Sequence, residues 1–141
     1  MASHNGKCFC GAVEFSVSGE PAAMGFCHCE SCRGWLAAPL LAASLWPAAS
    51  VKVVKGTNKL GTYRRTEGVH RKFCTTCGTA VMIDVPAFGM VDVPAGRVAG
   101  LEFTPTAHVH YGEKVLQVKD GLPKFRDYPK EFGGSGEMLP D

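Results

Sequence analysis

Seven cysteines stand in three tight groups: Cys8-Phe9-Cys10, Cys27-His28-Cys29-Glu30-Ser31-Cys32 and Cys74-Thr75-Thr76-Cys77. None lies outside a group. Thiolates at such spacings suit a tetrahedral zinc ion, which binds four ligands in a closed structural site and three in a site that keeps an open position. Four plus three is the economical division of seven. Cys8 and Cys10, spaced to share a face of an extended segment, join Cys74 and Cys77 in a closed site. The second pair has the gap of a zinc knuckle, with Gly78 allowing the tight turn behind the metal. Cys27, Cys29 and Cys32 then wrap one face of a second ion. Another division has Cys27 and Cys29 joining the Cys74 pair, but it strands Cys32. The two zinc ions per chain are therefore expected to be one structural and one of catalytic type. In a purely structural pair, the middle site would take a fourth ligand from His28, His70 or His108. Extended geometry turns His28 away from its cysteine neighbours and gives it a hydrogen-bonding or surface role. His108 and His110, two apart near a strand, read as core or surface residues.

Sequence distance does not oppose the division. Each doubling of a loop costs only about 0.6 kcal/mol, whereas structural zinc contributes roughly 10 kcal/mol or more in small peptides.

The elements that must position these groups read as short strands and turns. Seventeen glycines and nine prolines in 141 residues favour many turns over long helices. Val13, Phe15 and Val17 alternate with Glu14 and Ser16, the pattern of a half-buried strand over 12–17. Further strands are expected at 40–45, 51–54, 80–83, 90–93 and 108–111. A hairpin spans 60–64 and 69–73 around Thr66-Glu67-Gly68. The middle cysteine group is placed on a loop near strand ends. Helix signals are poor, with one short helix or turn allowed after Ala95. The segment 130–141 has no periodicity and is expected to be a mobile tail.

Composition bounds the function classes. The length suits one domain. Apolar content of 45%, charged content of 20% and a net charge of +2 are ordinary for a soluble globular chain. Basic residues are scattered apart from Arg64-Arg65 and Arg71-Lys72, so no nucleic-acid partner is indicated. Residues 34–51 carry no charge but contain Pro39 and Pro47 and are alanine-rich, which argues against a membrane span. The first residues lack a signal-like apolar run. A cytoplasmic, reducing location is expected, where clustered thiols are metal ligands rather than disulfides.

Three motifs in order, Gly6-Lys7-Cys8-Phe9-Cys10-Gly11-Ala12-Val13, Cys27-His28-Cys29-Glu30-Ser31-Cys32-Arg33 and Phe73-Cys74-Thr75-Thr76-Cys77-Gly78-Thr79, resemble the glutathione-dependent formaldehyde-activating enzyme family, which includes the centromere protein V group. The similarity runs over about 6–129, with Asp120-Gly121-Leu122-Pro123-Lys124-Phe125 matching the usual ending. Members often carry a tryptophan after the strand near His108; here the segment is Gly112-Glu113-Lys114-Val115-Leu116. The resemblance implies a mostly β fold of the β-tent type, with a structural zinc on Cys8, Cys10, Cys74 and Cys77 and a catalytic-type zinc on Cys27, Cys29 and Cys32. It further implies a carbon–sulfur lyase that joins glutathione, or another small thiol, to formaldehyde. Arg33 is the first candidate to offset the anionic three-thiolate site, with Arg71 and Lys72 next. The rival reading is a zinc-stabilised protein-binding module without catalysis.

Overall fold

Alternation of Val13, Phe15 and Val17 against polar neighbours makes a strand with one enclosed face, and all three side chains are fully buried. Burying one such side chain contributes about 1.5–3 kcal/mol. In the computed structural model, which describes residues 2–141, this strand is the second of twelve. In chain order they are β1 (Ser3–Lys7), β2 (Glu14–Ser18), β3 (Ala23–Cys27), β4 (Leu41–Pro47), β5 (Val51–Lys55) and β6 (Leu60–Thr66). Then follow β7 (Val69–Cys74), β8 (Ala80–Val85), β9 (Met90–Pro94), β10 (His108–Val109), β11 (Lys124–Phe125) and β12 (Met138–Leu139). The one α-helix among the described residues is α1 (Glu30–Leu36). The protein is thus mostly β.

Where the sequence suggests one domain over 6–129, the described residues group into two units. One holds residues up to 23 with Ser44–Phe103, the other Met24–Ala43 with Thr104–Asp141. The chain changes unit inside β3 and β4.

In the first unit, β2 pairs antiparallel with β1 on one side and β5 on the other. β1 is polar in sequence and buries only residue 6. A Cβ at Gly6 would meet the Phe15 ring and the Arg97 carbonyl, which lies 2.5 Å from that position. Only glycine lets β1 lie this close to the core. The hairpin expected around Thr66-Glu67-Gly68 forms as β6 and β7, with Leu60 opposite Cys74. β8 continues the antiparallel order with Arg71 opposite Ile83, and β9 follows with Asp92 opposite Ile83. Phe15, Trp46, Val81 and Val93 are fully buried in the core beneath. Its polar atoms are paired: Trp46 Nε1 donates to Ser44 Oγ at 2.9 Å, and that hydroxyl donates to the Val93 carbonyl at 2.5 Å. The turn allowed after Ala95 is a 3-10 turn at Ala95–Arg97.

In the second unit, β10 lies parallel to both β3 and β11. Its register sets His108 opposite Phe26 on one side and Lys124 on the other, with Val109 opposite Cys27. β12 pairs antiparallel with β11. Thus part of the segment expected as a mobile tail is a strand, and the Asp141 carboxylate meets Lys124 Nζ at 2.5 Å. No repeating pattern announces β12 because it has only two residues. The middle cysteine group departs further from the loop reading. Cys29 is the N-cap of α1, its sulfur accepting the Cys32 N–H. The helix stops at Ala37, which takes the left-handed conformation at φ 51°. No described helix is long and apolar enough to cross a membrane.

Candidate functional site

The first cysteine group is assembled by two turns of the first unit. The sulfurs of Cys8, Cys10, Cys74 and Cys77 all lie within 4.8 Å of one another. Cys8 and Cys10 do not converge from an extended strand, as their spacing suggests. They sit in a turn in which the Gly11 N–H donates to the Cys8 carbonyl at 3.2 Å and the Val13 N–H donates to Cys8 Sγ at 3.2 Å. β7 delivers Cys74 to the second turn. The Thr76 and Cys77 N–H groups point at Cys74 Sγ at 3.4 and 3.5 Å, and the Gly78 N–H closes on the Cys74 carbonyl at 2.7 Å. Gly78 has φ 77°, which an L side chain adopts only with strain. Hydrogen bonds from the Thr79 hydroxyl and backbone hold the Cys77 thiol down at about 5. At Cys10 an Ala12 backbone bond pulls the same way, but burial and the three neighbouring sulfurs outweigh it, pushing that thiol up to about 11. Sulfurs this close cannot all ionise without a cation among them.

The second group belongs wholly to the second unit. β3 ends in Cys27, Cys29 caps α1, and Cys32 lies in its first turn, so strand end and helix start bring the three sulfurs within 4.8 Å of one another. The split is sharper here. Hydrogen bonds from Cys27 and Cys32, with the Cys32 N–H at 3.2 Å, hold the Cys29 thiol near 2. Cys27 is pushed far upward by its bonds to Cys29 and Cys32 and by burial. Both groups could hold a metal ion; among the described residues no fourth His, Cys, Asp or Glu joins the second. The cysteines cluster as four and three, the same grouping that counting suggests.

Behind the second group runs a buried polar chain. His28 is fully buried, and its Nε2 lies 2.8 Å from His108 Nδ1. His108 Nε2 donates to Asp120 Oδ2 at 2.7 Å, since a carboxylate only accepts. Lys124 Nζ donates to Asp120 Oδ1 at 2.5 Å. The His28 ring bonds His108 through Nε2, and His28 Nδ1 takes no part in that bond. That atom is buried and has no hydrogen-bond partner among the described residues. Burial, and then the neighbouring His108 ring and the positive groups at Lys114, Arg33 and Lys124, lower His28 to about 4 and keep its ring neutral. Burial alone would raise the Asp120 carboxyl, yet the bonds from Lys124 and His108 hold it well below the usual range. Tyr111 packs edge-on against both imidazoles.

The other sequence candidates fall elsewhere. Arg33 Nε donates to the His28 carbonyl at 2.9 Å, which sets the guanidinium beside the three-thiol loop. Arg71 and Lys72 are on β7 of the first unit, where Lys72 pairs with Asp84 at 3.6 Å. His70 bonds the Glu67 carbonyl, and His110 pairs with Glu113 at 3.0 Å. His28 takes the hydrogen-bonding role of its sequence reading, and both it and His108 are fully buried rather than at the surface. Asp120, Lys124 and Tyr111 were missed as parts of the site. For Asp120 and Lys124 the available signal was the Asp120–Phe125 motif, whose residues carry no local pattern that would announce a role, and Tyr111 lies outside it.

The chain is 32% identical over 81 residues to an uncharacterized lyase of Schizosaccharomyces pombe, a match that spans 57% of each chain. A crystal structure of a Rhodobacter sphaeroides protein superposes with a TM-score of 0.57 at 25% identity, covering 70% of this chain and 90% of the other. The family model described as glutathione-dependent formaldehyde-activating enzyme matches residues 3–113, and the chain belongs to that family.

Proposed function

We propose that the protein is a zinc-dependent enzyme of carbon–sulfur lyase type that adds glutathione, or another small thiol, to formaldehyde. The product is the S-hydroxymethyl thioether. A carbon–sulfur bond forms, the carbonyl π bond breaks, and the thiol proton ends on the former carbonyl oxygen. The observation that carries this reading is the unequal pair of cysteine groups, four sulfurs in one and three in the other. The closed group suits a structural ion and the open group a reactive one.

The donor sets fit zinc: each sulfur is close to its neighbours, and backbone N–H groups point at the sulfurs of Cys74 and Cys29. Cys27, Cys29 and Cys32 would hold the reactive ion, and Cys8, Cys10, Cys74 and Cys77 the structural one. When bound at the three sulfurs, zinc supplies an open position at which a thiol is stable as its thiolate near neutral pH. The chain's own residues do the rest. Three thiolates around a divalent ion would leave about one net negative charge, and a bound thiolate would add another. We assign to the Arg33 guanidinium, tethered to the His28 carbonyl beside this loop, the role of offsetting that charge and orienting an anionic thiol. α1 fixes the loop because Cys29 is at once cap and donor. The lyase name of the yeast relative supports the reaction class, and the family description supports glutathione and formaldehyde as substrates.

The test is exchange NMR of glutathione and formaldehyde with the zinc-loaded protein, which separates catalysis from the uncatalysed addition. Adduct exchange should be faster than background with the wild type and equal to background with Cys29→Ser. Isothermal titration should show glutathione binding that Arg33→Ala weakens. If the wild type neither binds glutathione nor exceeds background, the enzyme reading for this substrate fails and a zinc-stabilised binding module takes its place.

A further inference from the structure

Residue 28 is fixed at every polar point but one. Its N–H donates to the Val109 carbonyl at 3.1 Å, and its carbonyl accepts Arg33 Nε at 2.9 Å. Its ring bonds His108 at 2.8 Å, and His108 bonds Asp120 at 2.7 Å. Asp120 is in turn held by Lys124 Nζ at 2.5 Å and by the Leu122 N–H at 3.0 Å. His28 and His108 are completely enclosed, and Lys124 is 1% exposed. Packing alone would be served by apolar side chains, which need no chain of partners in the interior.

The place of this anchor is what gives it meaning. His28 lies between Cys27 and Cys29, two of the three donors of the open group. A four-sulfur group is closed by its own ligands. A three-sulfur group lacks the donor that would brace it, and its loop must be held by something else. The anchored imidazole pulls on the middle of the ligand loop, while the sulfurs on either side gather with Cys32.

We propose that His108 and Asp120 are positioning residues for the three-thiol site, holding Cys27 and Cys29 at metal-binding spacing through His28. This rests on the reading of that group as a metal site and adds the device that preorganises it. Neither residue touches a reacting atom. Partners behind metal ligands commonly alter metal affinity by about 10–100-fold when removed.

The test is cobalt binding by the full chain, followed by thiolate-to-cobalt charge-transfer absorption and chelator competition. His108→Phe keeps a ring against Phe26, now stacked with His108 at 4.8 Å between centroids, and removes both hydrogen bonds. The weaker cobalt should lose about 10–100-fold in affinity with a displaced absorption band, while the tighter cobalt is unchanged. Asp120→Asn, at a side chain 29% exposed, should lose about tenfold. Arg126→Ala, which breaks only the exposed pair with Glu137, should leave both affinities as they are. A purely structural role would lower the melting temperature and spare the weaker cobalt. The proposal is overturned if Asp120→Asn and a folded His108→Phe both bind that ion within about threefold of wild type. Should His108→Phe not fold, Asp120→Asn decides alone on the same criterion. Wild type taking up only one cobalt would defeat the metal reading itself, and the anchor with it, a result visible before any variant is made.

Discussion

Cys29 has two tasks, and serine can perform only one of them. Its sulfur accepts the Cys32 N–H at the start of α1 and belongs to the three-thiol group. Serine is among the preferred helix N-caps, but its hydroxyl is a poor substitute for a soft thiolate donor. Cys29→Ser should therefore keep its far-UV circular dichroism and its helix while binding one metal ion fewer. Loss of the helix with the metal retained would reverse the assignment. Asp120 makes a prediction about pH. Its folded carboxyl titrates below the ordinary carboxylate value of about 3.8, so the unfolded chain binds its proton first as the solution is acidified. Its contribution is complete above about pH 5 and is lost as pH falls through about 4 and below. The stability difference between wild type and Asp120→Asn, measured by melting, should be largest near neutrality and narrow in acid. A gap that stays constant down to about pH 3 would show that the carboxylate is not held by its partners. At this scale the two cysteine groups were legible because cysteines announce themselves by spacing. The His28–His108–Asp120 chain was not, because residues 28, 108 and 120 meet only after β3 and β10 pair.

α1 has seven residues, too few to persist alone in water, so its ends decide it. The C-terminal end is suboptimal. Ala37 sits at φ 51°, a conformation that costs a residue with a Cβ roughly 1–2 kcal/mol. Glycine removes that cost but adds about 0.4–1 kcal/mol of unfolded-chain entropy. Ala37→Gly should thus stabilise by about 0.5 kcal/mol, a rise of roughly 2 °C in melting temperature. A fall in melting temperature would mean that the Ala37 methyl makes contacts worth more than the strain. The same end explains why the helix was not read from sequence: a cysteine stands at the cap and an alanine where glycine usually ends a helix. β1 was equally hidden, since Ser-His-Asn-Gly-Lys shows no apolar alternation and its single buried position is a glycine. By contrast β2, β5, β8 and β9 carry their own patterns of β-branched and apolar residues, and they appear within one or two residues of where those patterns place them.

Each of the two units contains one whole cysteine group, four cysteines in the first and three in the second. The whole chain is therefore expected to bind two metal ions of different tenacity. The four-sulfur group joins the turn after β1 to the turn after β7, segments far apart in sequence, so its ion restrains a long stretch of chain and its binding energy is largely folding energy. The three-sulfur group spans only Cys27 to Cys32, a stretch already ordered by its own backbone hydrogen bonds and by the buried imidazoles. Its ion has one protein donor fewer and closes almost no loop. A chelator titration followed by native mass spectrometry, with melting curves on the same samples, should show two steps. The first ion should leave with little change in melting temperature, and the second with a large fall or with unfolding. Cys77→Ser should start at the second step, destabilised before any chelator is added, whereas Cys32→Ser should start after the first. If removing the first ion unfolds the chain, or if Cys77→Ser melts like wild type, the four-sulfur group is not the structural one and the roles of the two groups must be exchanged.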